Sequence, residues 1–154
     1  EYGANIGLNL IAIQHLMPDI DLSGLEINKK AFEQLQGLYN VKSIHSSLLD
    51  FQPSEQFDFV FVKGVLIHIN PDSLHKAYEL LYRSSKKYIL IAEYYNPTPV
   101  SIEYRGEQDK LFKRDFAGEM LDKFKDLKLI AYNFVYRRDP NFPQDDITWF
   151  LIEK

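Results

Sequence analysis

The 154-residue chain contains no cysteine, and this absence sets the first limits on its chemistry. Disulfide bridges, thiolate metal sites and cysteine nucleophiles are all excluded. The longest apolar runs, such as YILIA at positions 88–92, have the length of strands and are too short to span a bilayer. The formal net charge is only −4, which gives no sign of a general nucleic-acid or membrane-surface binder. We therefore expect a soluble, cytoplasmic protein without nucleic-acid or membrane partners.

Two common nucleotide-binding fingerprints are also absent. The sequence contains neither G-x-G-x-x-G, which is typical of nicotinamide dinucleotide sites, nor the phosphate loop G-x-x-x-x-G-K-[ST]. It has instead EYGANIG at positions 1–7, in which Gly3 and Gly7 bracket a tight turn. Gly3 lets a ligand approach the backbone, and Gly7 permits close helix packing. Asn5, in the middle, is one of the few side chains that tolerate left-handed geometry.

Helical and strand-like patterns alternate along the chain. Strands are predicted over 21–27, 41–45, 57–62 and 86–95, with helices from Ile6 to Met17, from Asn28, from Asn70 and over 114–124. Residues 96–112 form an irregular polar-aromatic stretch, and 127–136 with 147–154 resemble a closing antiparallel hairpin. This order predicts an α/β fold with a mostly parallel sheet and helices on both faces. Ligands bind such sheets beyond the carboxyl ends of the strands, where the glycine turn would lie.

Two carboxylates accompany the glycine turn. Glu1 precedes Gly3 by two residues, where it would repel a pyrophosphate but suit a cationic or amino-bearing ligand. Glu26 lies near the end of the strand predicted over 21–27. An acid at this place commonly accepts hydrogen bonds from both hydroxyls of a ribose. The turn and the two acids together favour a ligand that contains adenosine.

These residues carry a resemblance to a known family. E-x-G-A-N-x-G followed by LEIN resembles the class I S-adenosylmethionine-dependent methyltransferases, over nearly the whole chain. GVLIHINPDSL, ILIAEYYNPTPVSIEYRG, LFKRDFAGEMLD and RRDPNFPQDDITWFLIEK resemble the methylases associated with pseudaminic acid biosynthesis. The resemblance implies a Rossmann-like fold, S-adenosyl-L-methionine as cofactor, and a role in bacterial surface-glycan or nonulosonic-acid pathways. It also implies one domain over 1–154 that lacks its N-terminal helical region and most of the first strand.

The resemblance further implies a set of cofactor-binding residues. Glu26 would bind the ribose and Ile27 would lie against the adenine. The adenine amino group would be held around Ser47 and Leu48, or by Asp50 instead. The methionine part would be lined by Glu1, Gly3, Asn5 and Gly7, and approached by Lys63, Gly64 and His68.

Catalysis depends on the acceptor atom. Methyl transfer is an in-line displacement, so alignment supplies much of it, but a hydroxyl acceptor also needs a base for its proton. The candidate bases are His68 and Glu93, which follow strands at the ligand edge, and Asp115. A packing or capping role for His68 and a solvated strand end for Glu93 are equally open. An amine acceptor would only need to arrive deprotonated.

The segment YYNPTPVSIEYRG at 94–106 is too long and polar for a simple connection, and we interpret it as a lid over the acceptor. Its rings would stack on a pyranose and its arginine would pair with a carboxylate or phosphate, so we expect a small sugar-like acceptor. Packing of the same aromatic side chains on the sheet is the alternative. The candidate substrate residues are Tyr94, Tyr95, Tyr104, Arg105 and Arg114. Residues 137–140 and 144–146 form either a second wall or a plain hairpin loop.

Two other functions remain open at this level. A non-catalytic module that binds an adenosine ligand would keep the same fold. A nicotinamide-dependent sugar-modifying oxidoreductase is disfavoured by the missing fingerprint and by Glu1. The remaining histidines have no ligand spacing, so we expect no metal. The oligomeric state is left open.

Overall fold

The computed structural model describes residues 1–104 and 106–154, which fold as two compact units, Glu1–Gln52 and Pro53–Lys154. The predicted alternation of helices and strands is confirmed. In chain order the elements are α1 (Leu8–Leu16), β1 (Leu22–Glu26), α2 (Lys29–Leu35), β2 (Val41–His45), β3 (Phe57–Lys63), α3 (Leu74–Ser84), β4 (Ser85–Glu93), β5 (Val100–Tyr104), β6 (Glu107–Lys113), α4 (Phe116–Lys123), β7 (Lys128–Val135) and β8 (Ile147–Glu153). None of the helices in these ranges is long and apolar enough to cross a membrane. The interpretation of residues 1–154 as one domain stays a prediction.

The first unit is built on parallel strands. β1 pairs with β2, from Leu22 opposite Val41 to Glu26 opposite His45. Residues 1–3 also run parallel to β1, because Leu25 donates its N–H to the Glu1 carbonyl at 2.9 Å and accepts one from Gly3 at 2.8 Å. The apolar interior of the unit includes the nearly inaccessible Leu10, Leu25 and Leu35. The glycine turn therefore follows directly on a short extended segment.

The second unit contains a mixed four-stranded sheet in the order β3-β4-β8-β7. β3 and β4 are parallel, whereas β8 is antiparallel to both β4 and β7. The closing hairpin of β7 and β8 is thus confirmed, but a mostly parallel sheet is not. The sheet is mixed because the hairpin returns β8 into the position beside β4. Its centre is apolar and inaccessible to water at Val62, Ile89, Ile91 and Ile152.

The prediction of an irregular stretch over 96–112 was wrong. β5 and β6 form an antiparallel hairpin there, paired from Val100 opposite Lys113 to Tyr104 opposite Glu107, with a shift in register between Ile102 and Tyr104. The strand signal is the alternation of Val100, Ile102 and Tyr104 with polar residues. Two prolines just before it, together with the polar composition, make the segment look like a loop. Gly106 adopts a left-handed φ of 81° at the connection.

Position 7 requires glycine for two reasons, its left-handed backbone and the lack of space for a Cβ. Replacement of Gly7 is therefore expected to destabilise the fold. Its φ is 83°, and an added Cβ would meet Leu38 Cδ1 and lie 2.9 Å from Leu35 Cδ1. We expect Gly7→Ala to lower the free energy of unfolding by about 3 kcal/mol, from left-handed strain together with overpacking against the inaccessible Leu35. Urea denaturation monitored by circular dichroism measures this change.

Gly106 provides the matched control for that substitution. Its φ of 81° is similar, but no atom of the described residues lies within 4 Å of an added Cβ. Gly106→Ala is therefore expected to cost only the backbone strain of about 1 kcal/mol. Equal losses in the two variants would contradict the packing role assigned to Gly7.

Candidate functional site

The glycine turn of the first unit has an unusual backbone. Gly3, Asn5 and Gly7 all have positive φ, at 75°, 50° and 83°. The left-handed geometry expected to be tolerated by Asn5 is thus confirmed. Two successive N–H groups, of Gly3 and Ala4, donate to the single carbonyl of Leu25 at 2.8 and 2.9 Å. These bonds fix the turn tightly to the end of β1.

Glu26 joins this turn to the start of α2. Its side chain is 8% exposed, with Oε2 accepting the Asn5 N–H at 2.8 Å and Oε1 accepting the Asn28 N–H at 2.7 Å. Asn28 in turn caps α2, because its Oδ1 accepts the N–H groups of Lys30 and Ala31. A carboxylate offers about four acceptor positions, so those two bonds leave about two positions for other donors.

Glu1 is held by a residue that the sequence reasoning missed. Its Oε1 accepts a hydrogen bond from Asn9 Nδ2 on α1 at 2.7 Å. The only signal in the sequence was a polar side chain between two leucines in the first helical turn. Asn9 therefore fixes the orientation of the carboxylate that precedes the glycine turn.

The proposed adenine side of the first unit has one prominent apolar residue. Ile27 follows Glu26 directly and is 65% exposed. Leu48, by contrast, is buried at 8% exposure, and the Ser47 hydroxyl accepts the Leu49 N–H at 3.1 Å. Ser47 thus stabilises the turn after β2, while Ile27 offers an apolar surface. Asp50, the alternative contact, is exposed.

In the second unit, the chain leaves β3 through Lys63 and Gly64. Gly64 has a φ of 65° and donates its N–H to the Ala92 carbonyl at 3.0 Å. Within the part of the chain that the structure describes, no atom lies within 4 Å of the position that a Cβ on Gly64 would occupy. The loop therefore has open space at this glycine, and Lys63 is half-buried beside it.

Glu93, at the end of β4, is a buried group and not the solvated strand end considered above. It is 2% exposed, and its carboxylate accepts the backbone N–H groups of Val65 at 2.9 Å, Leu66 at 3.0 Å and Ile67 at 3.4 Å. Burial raises the pKa of Glu93 to about 7, although the backbone hydrogen bonds act in the opposite direction. This arrangement makes Glu93 the acceptor that organises the loop after β3. Its role as a catalytic base stays a prediction.

His68 ends the short 3₁₀ turn Leu66–His68 and is exposed. Its Nδ1 lies 3.0 Å from the Lys110 carbonyl oxygen on β6. Its ring centroid lies 5.4 Å from that of Tyr104 on β5. The β5–β6 hairpin therefore contacts the imidazole from both of its strands.

Tyr94 follows β4 and contacts two other segments of the second unit, the β7–β8 connection and β6. Its hydroxyl donates to Asp145 Oδ2 at 2.9 Å, and Lys113 Nζ lies 5.1 Å from its ring centroid. Burial, followed by Asp145 and then by the phenol of Tyr104, raises the pKa of Tyr94 to about 12. We call His68, Tyr94, Tyr104, Lys113 and Asp145 the tyrosine cluster. Asp145, from the segment predicted to form either a second wall or a plain hairpin loop, belongs to this cluster.

Arg114 and Asp115 take part in contacts around α4. Arg114 Nε donates to Glu119 Oε1 at 2.7 Å, and the other oxygen of Glu119 accepts from Tyr78. Asp115 is the N-cap of α4 and accepts the Gly118 N–H at 2.8 Å. Both side chains thus support the helix, and their roles in substrate binding and catalysis stay predictions.

The last two predicted substrate residues are Tyr95 and Arg105. Tyr95 is 40% exposed, with its ring 5.8 Å from that of Phe150 on β8. This contact agrees with the alternative that part of the aromatic segment packs on the sheet. Arg105 lies outside the described residues. Among the residues that are described, no group of three or more His, Asp and Glu side chains is arranged to hold a metal ion.

Comparison with known proteins identifies the fold. No family model matches the chain, and no curated protein sequence matches it either. Its structure is similar to the PH0226 protein from Pyrococcus horikoshii OT3, with 9% identity, a TM-score of 0.74, and coverage of 99% of this chain and 79% of that one. The 1,6-didemethyltoxoflavin-N1-methyltransferase of Burkholderia thailandensis, crystallised with S-adenosylhomocysteine, has 12% identity, a TM-score of 0.77, and coverage of 99% and 68%.

A third match points to the same fold. The magnesium protoporphyrin IX methyltransferase from Synechocystis PCC 6803, with bound SAM, has 12% identity, a TM-score of 0.72, and coverage of 99% of this chain and 67% of that one. The chain therefore has the α/β fold of the S-adenosylmethionine-dependent methyltransferases. The two matches that are named as methyltransferases are named for different molecules, so they do not favour one acceptor.

Proposed function

We propose that this chain is an S-adenosylmethionine-dependent methyltransferase that acts on a small, polar, sugar-like acceptor. The observation that carries the proposal is Glu26, a nearly inaccessible carboxylate bonded to the glycine turn that retains spare acceptor positions. In a fold shared with methyltransferases, that combination suits the two hydroxyls of a ribose.

The residues of the first unit fit S-adenosyl-L-methionine. Glu26 accepts from the ribose hydroxyls, and the exposed side chain of Ile27 covers one face of the adenine. Glu1, oriented by Asn9, places negative charge where it suits the amino group of the methionine part. When bound, the cofactor supplies an electrophilic methyl group on a positively charged sulfur.

The tyrosine cluster of the second unit supports a sugar-like acceptor. The phenol rings of Tyr94 and Tyr104 offer flat faces for a pyranose. Lys113 adds a positive charge suited to a carboxylate on an acidic sugar. Together with the resemblance of these segments to the pseudaminic acid-associated methylases, this favours a role in nonulosonic-acid or surface-glycan pathways.

Calorimetric titration with S-adenosylhomocysteine tests the cofactor assignment. We expect Ile27→Asp to weaken this binding by about tenfold, because it removes an apolar contact of ~1.5 kcal/mol against the adenine. Ile20→Asp is the matched control, since Ile20 is an exposed isoleucine of the same unit, at 39% exposure. It should bind like the unmodified protein.

The other outcomes separate the competing functions. Binding of NAD in place of S-adenosylhomocysteine would favour the oxidoreductase. Binding of S-adenosylhomocysteine without methyl transfer to any acidic or neutral sugar would favour the non-catalytic module. Absence of binding to both ligands by the folded protein would overturn the proposed function.

A further inference from the structure

The contact between His68 and Lys110 determines which nitrogen of the imidazole carries a proton. The Lys110 carbonyl oxygen, 3.0 Å from Nδ1, is able only to accept a hydrogen bond. Nδ1 is therefore the donor. In the neutral ring, Nε2 then has no proton and presents a lone pair.

We propose that the β5–β6 hairpin is a positioning element that makes His68 Nε2 the base for a hydroxyl acceptor, so that the methyl group goes to oxygen. This inference rests on the proposed function and deepens it. It assigns to the hairpin a task beyond covering a substrate.

The hairpin fixes the orientation of the ring as well as its tautomer. One strand supplies the carbonyl of Lys110, and the other supplies the ring of Tyr104, 5.4 Å from the imidazole centroid. Two contacts from different directions restrict rotation about both side-chain torsions of His68. His68 is nevertheless an exposed residue, as a base that receives a proton from an acceptor must be.

Glu93 fixes the backbone on which His68 stands. The carboxylate accepts N–H groups from Val65, Leu66 and Ile67, the three residues directly before the histidine. Backbone held by three hydrogen bonds to one buried group has little freedom to shift. Glu93 is thus a positioning residue that acts through His68. Its buried carboxylate oxygens accept hydrogen bonds from the loop.

The proton balance of the step is complete with the residues and cofactor named. As the acceptor oxygen bonds to the methyl carbon, the bond to sulfur breaks and its electron pair stays on the sulfur. The hydroxyl proton passes to Nε2, and the imidazolium takes over the positive charge that the sulfur loses. The imidazolium later returns the proton to water. A neutral amine acceptor would not need this base.

The tautomer is measurable in the ligand-free protein. In ¹⁵N-labelled protein at a pH where His68 is neutral, long-range ¹H–¹⁵N spectra distinguish a protonated from an unprotonated ring nitrogen. We expect His68 to show protonated Nδ1 and bare Nε2. The exposed His75 on α3 gives the comparison, and His68→Asn provides the assignment. Protonated Nε2 with bare Nδ1 would overturn the proposal.

Two substitutions separate anchoring from proton transfer. His68→Asn retains a side-chain N–H near the position of Nδ1 and should keep the hairpin protected from amide hydrogen exchange. It has no base, so we expect kcat toward a hydroxyl acceptor to fall by about 10²–10⁴-fold with little change in KM. His68→Leu should lose both the protection and the activity.

Two results of this comparison would contradict the proposal. One is turnover by His68→Asn at the rate of the unmodified protein, and the other is equal hairpin protection in His68→Asn and His68→Leu. His75→Asn should leave kcat unchanged. S-adenosylhomocysteine binding by each variant is measured alongside. Failure of the unmodified protein to bind it would instead count against the proposed function, independently of the tautomer.

Discussion

Glu26→Gln is expected to weaken the binding of S-adenosylhomocysteine by about 100-fold, since hydrogen bonds to a charged group contribute ~1.5–3 kcal/mol each. The carboxylate accepts N–H groups from Asn5 and Asn28. In the proposed function it also accepts hydrogen bonds from the ribose. A glutamine has one acceptor oxygen, and its NH₂ group would oppose one of these donors. The variant therefore loses ligand contacts and the shape of the glycine turn together. Calorimetric titration measures the affinity.

Glu33→Gln is the matched control for charge. Glu33 lies on α2 in the same unit and is exposed, so its substitution removes an equal charge without disturbing the turn. It should bind S-adenosylhomocysteine like the unmodified protein, and circular dichroism should show that both variants fold. An affinity of Glu26→Gln within threefold of the unmodified protein would contradict the ribose assignment.

Glu93 is expected to contribute a loss of ~3 kcal/mol to the free energy of unfolding as the pH rises from about 4.5 to about 7. Burial raises the pKa of Glu93 from 4.5 to about 7, so the native protein holds a proton there that the unfolded chain has released. The stabilisation is fully present below the unfolded pKa and is lost as the pH rises through the folded one.

Glu93→Gln should remove this dependence, because glutamine does not titrate. Urea denaturation at pH 5 and pH 8 gives the pH-dependent change in unfolding free energy for each protein. The pH-dependent loss of unfolding free energy should be smaller in Glu93→Gln than in the unmodified protein by ~3 kcal/mol. Glu33→Gln should retain the full change. Equal changes in the unmodified protein and Glu93→Gln would show that the buried carboxyl does not govern stability in this range.

Local chemistry in the sequence was sufficient for much of the fold. The apolar run that became β4, the capping amide of Asn28 and the left-handed tendency of Asn5 depend on residues within a few positions of one another. The β5–β6 hairpin was misjudged because prolines and polar residues hide its alternation, and pairing with the other strand is what stabilises it. Likewise, the antiparallel position of β8 depends on which strands it meets.

The proposed cofactor residues are identifiable from the sequence for the same reason. Gly3, Gly7 and Glu26 carry their chemistry in residue type and in their place at the ends of an extended segment and a strand. The sequence by itself therefore determined the kind of ligand that we propose and the element ends at which we propose that it binds. Asn9 is the exception, because its bond to Glu1 depends on how the first turn of α1 lies against the preceding segment.

Only the tertiary structure decided which partners the acidic and aromatic candidates contact. His68 meets Lys110 across 42 positions of sequence, and Tyr94 meets Asp145 across 51. Glu93 is a strand-end acid in the sequence, but burial and three backbone donors make it a structural acceptor. Residue type determines whether a side chain is able to donate, accept or exchange a proton. Burial and the partners that folding brings next to that side chain determine which of these it does.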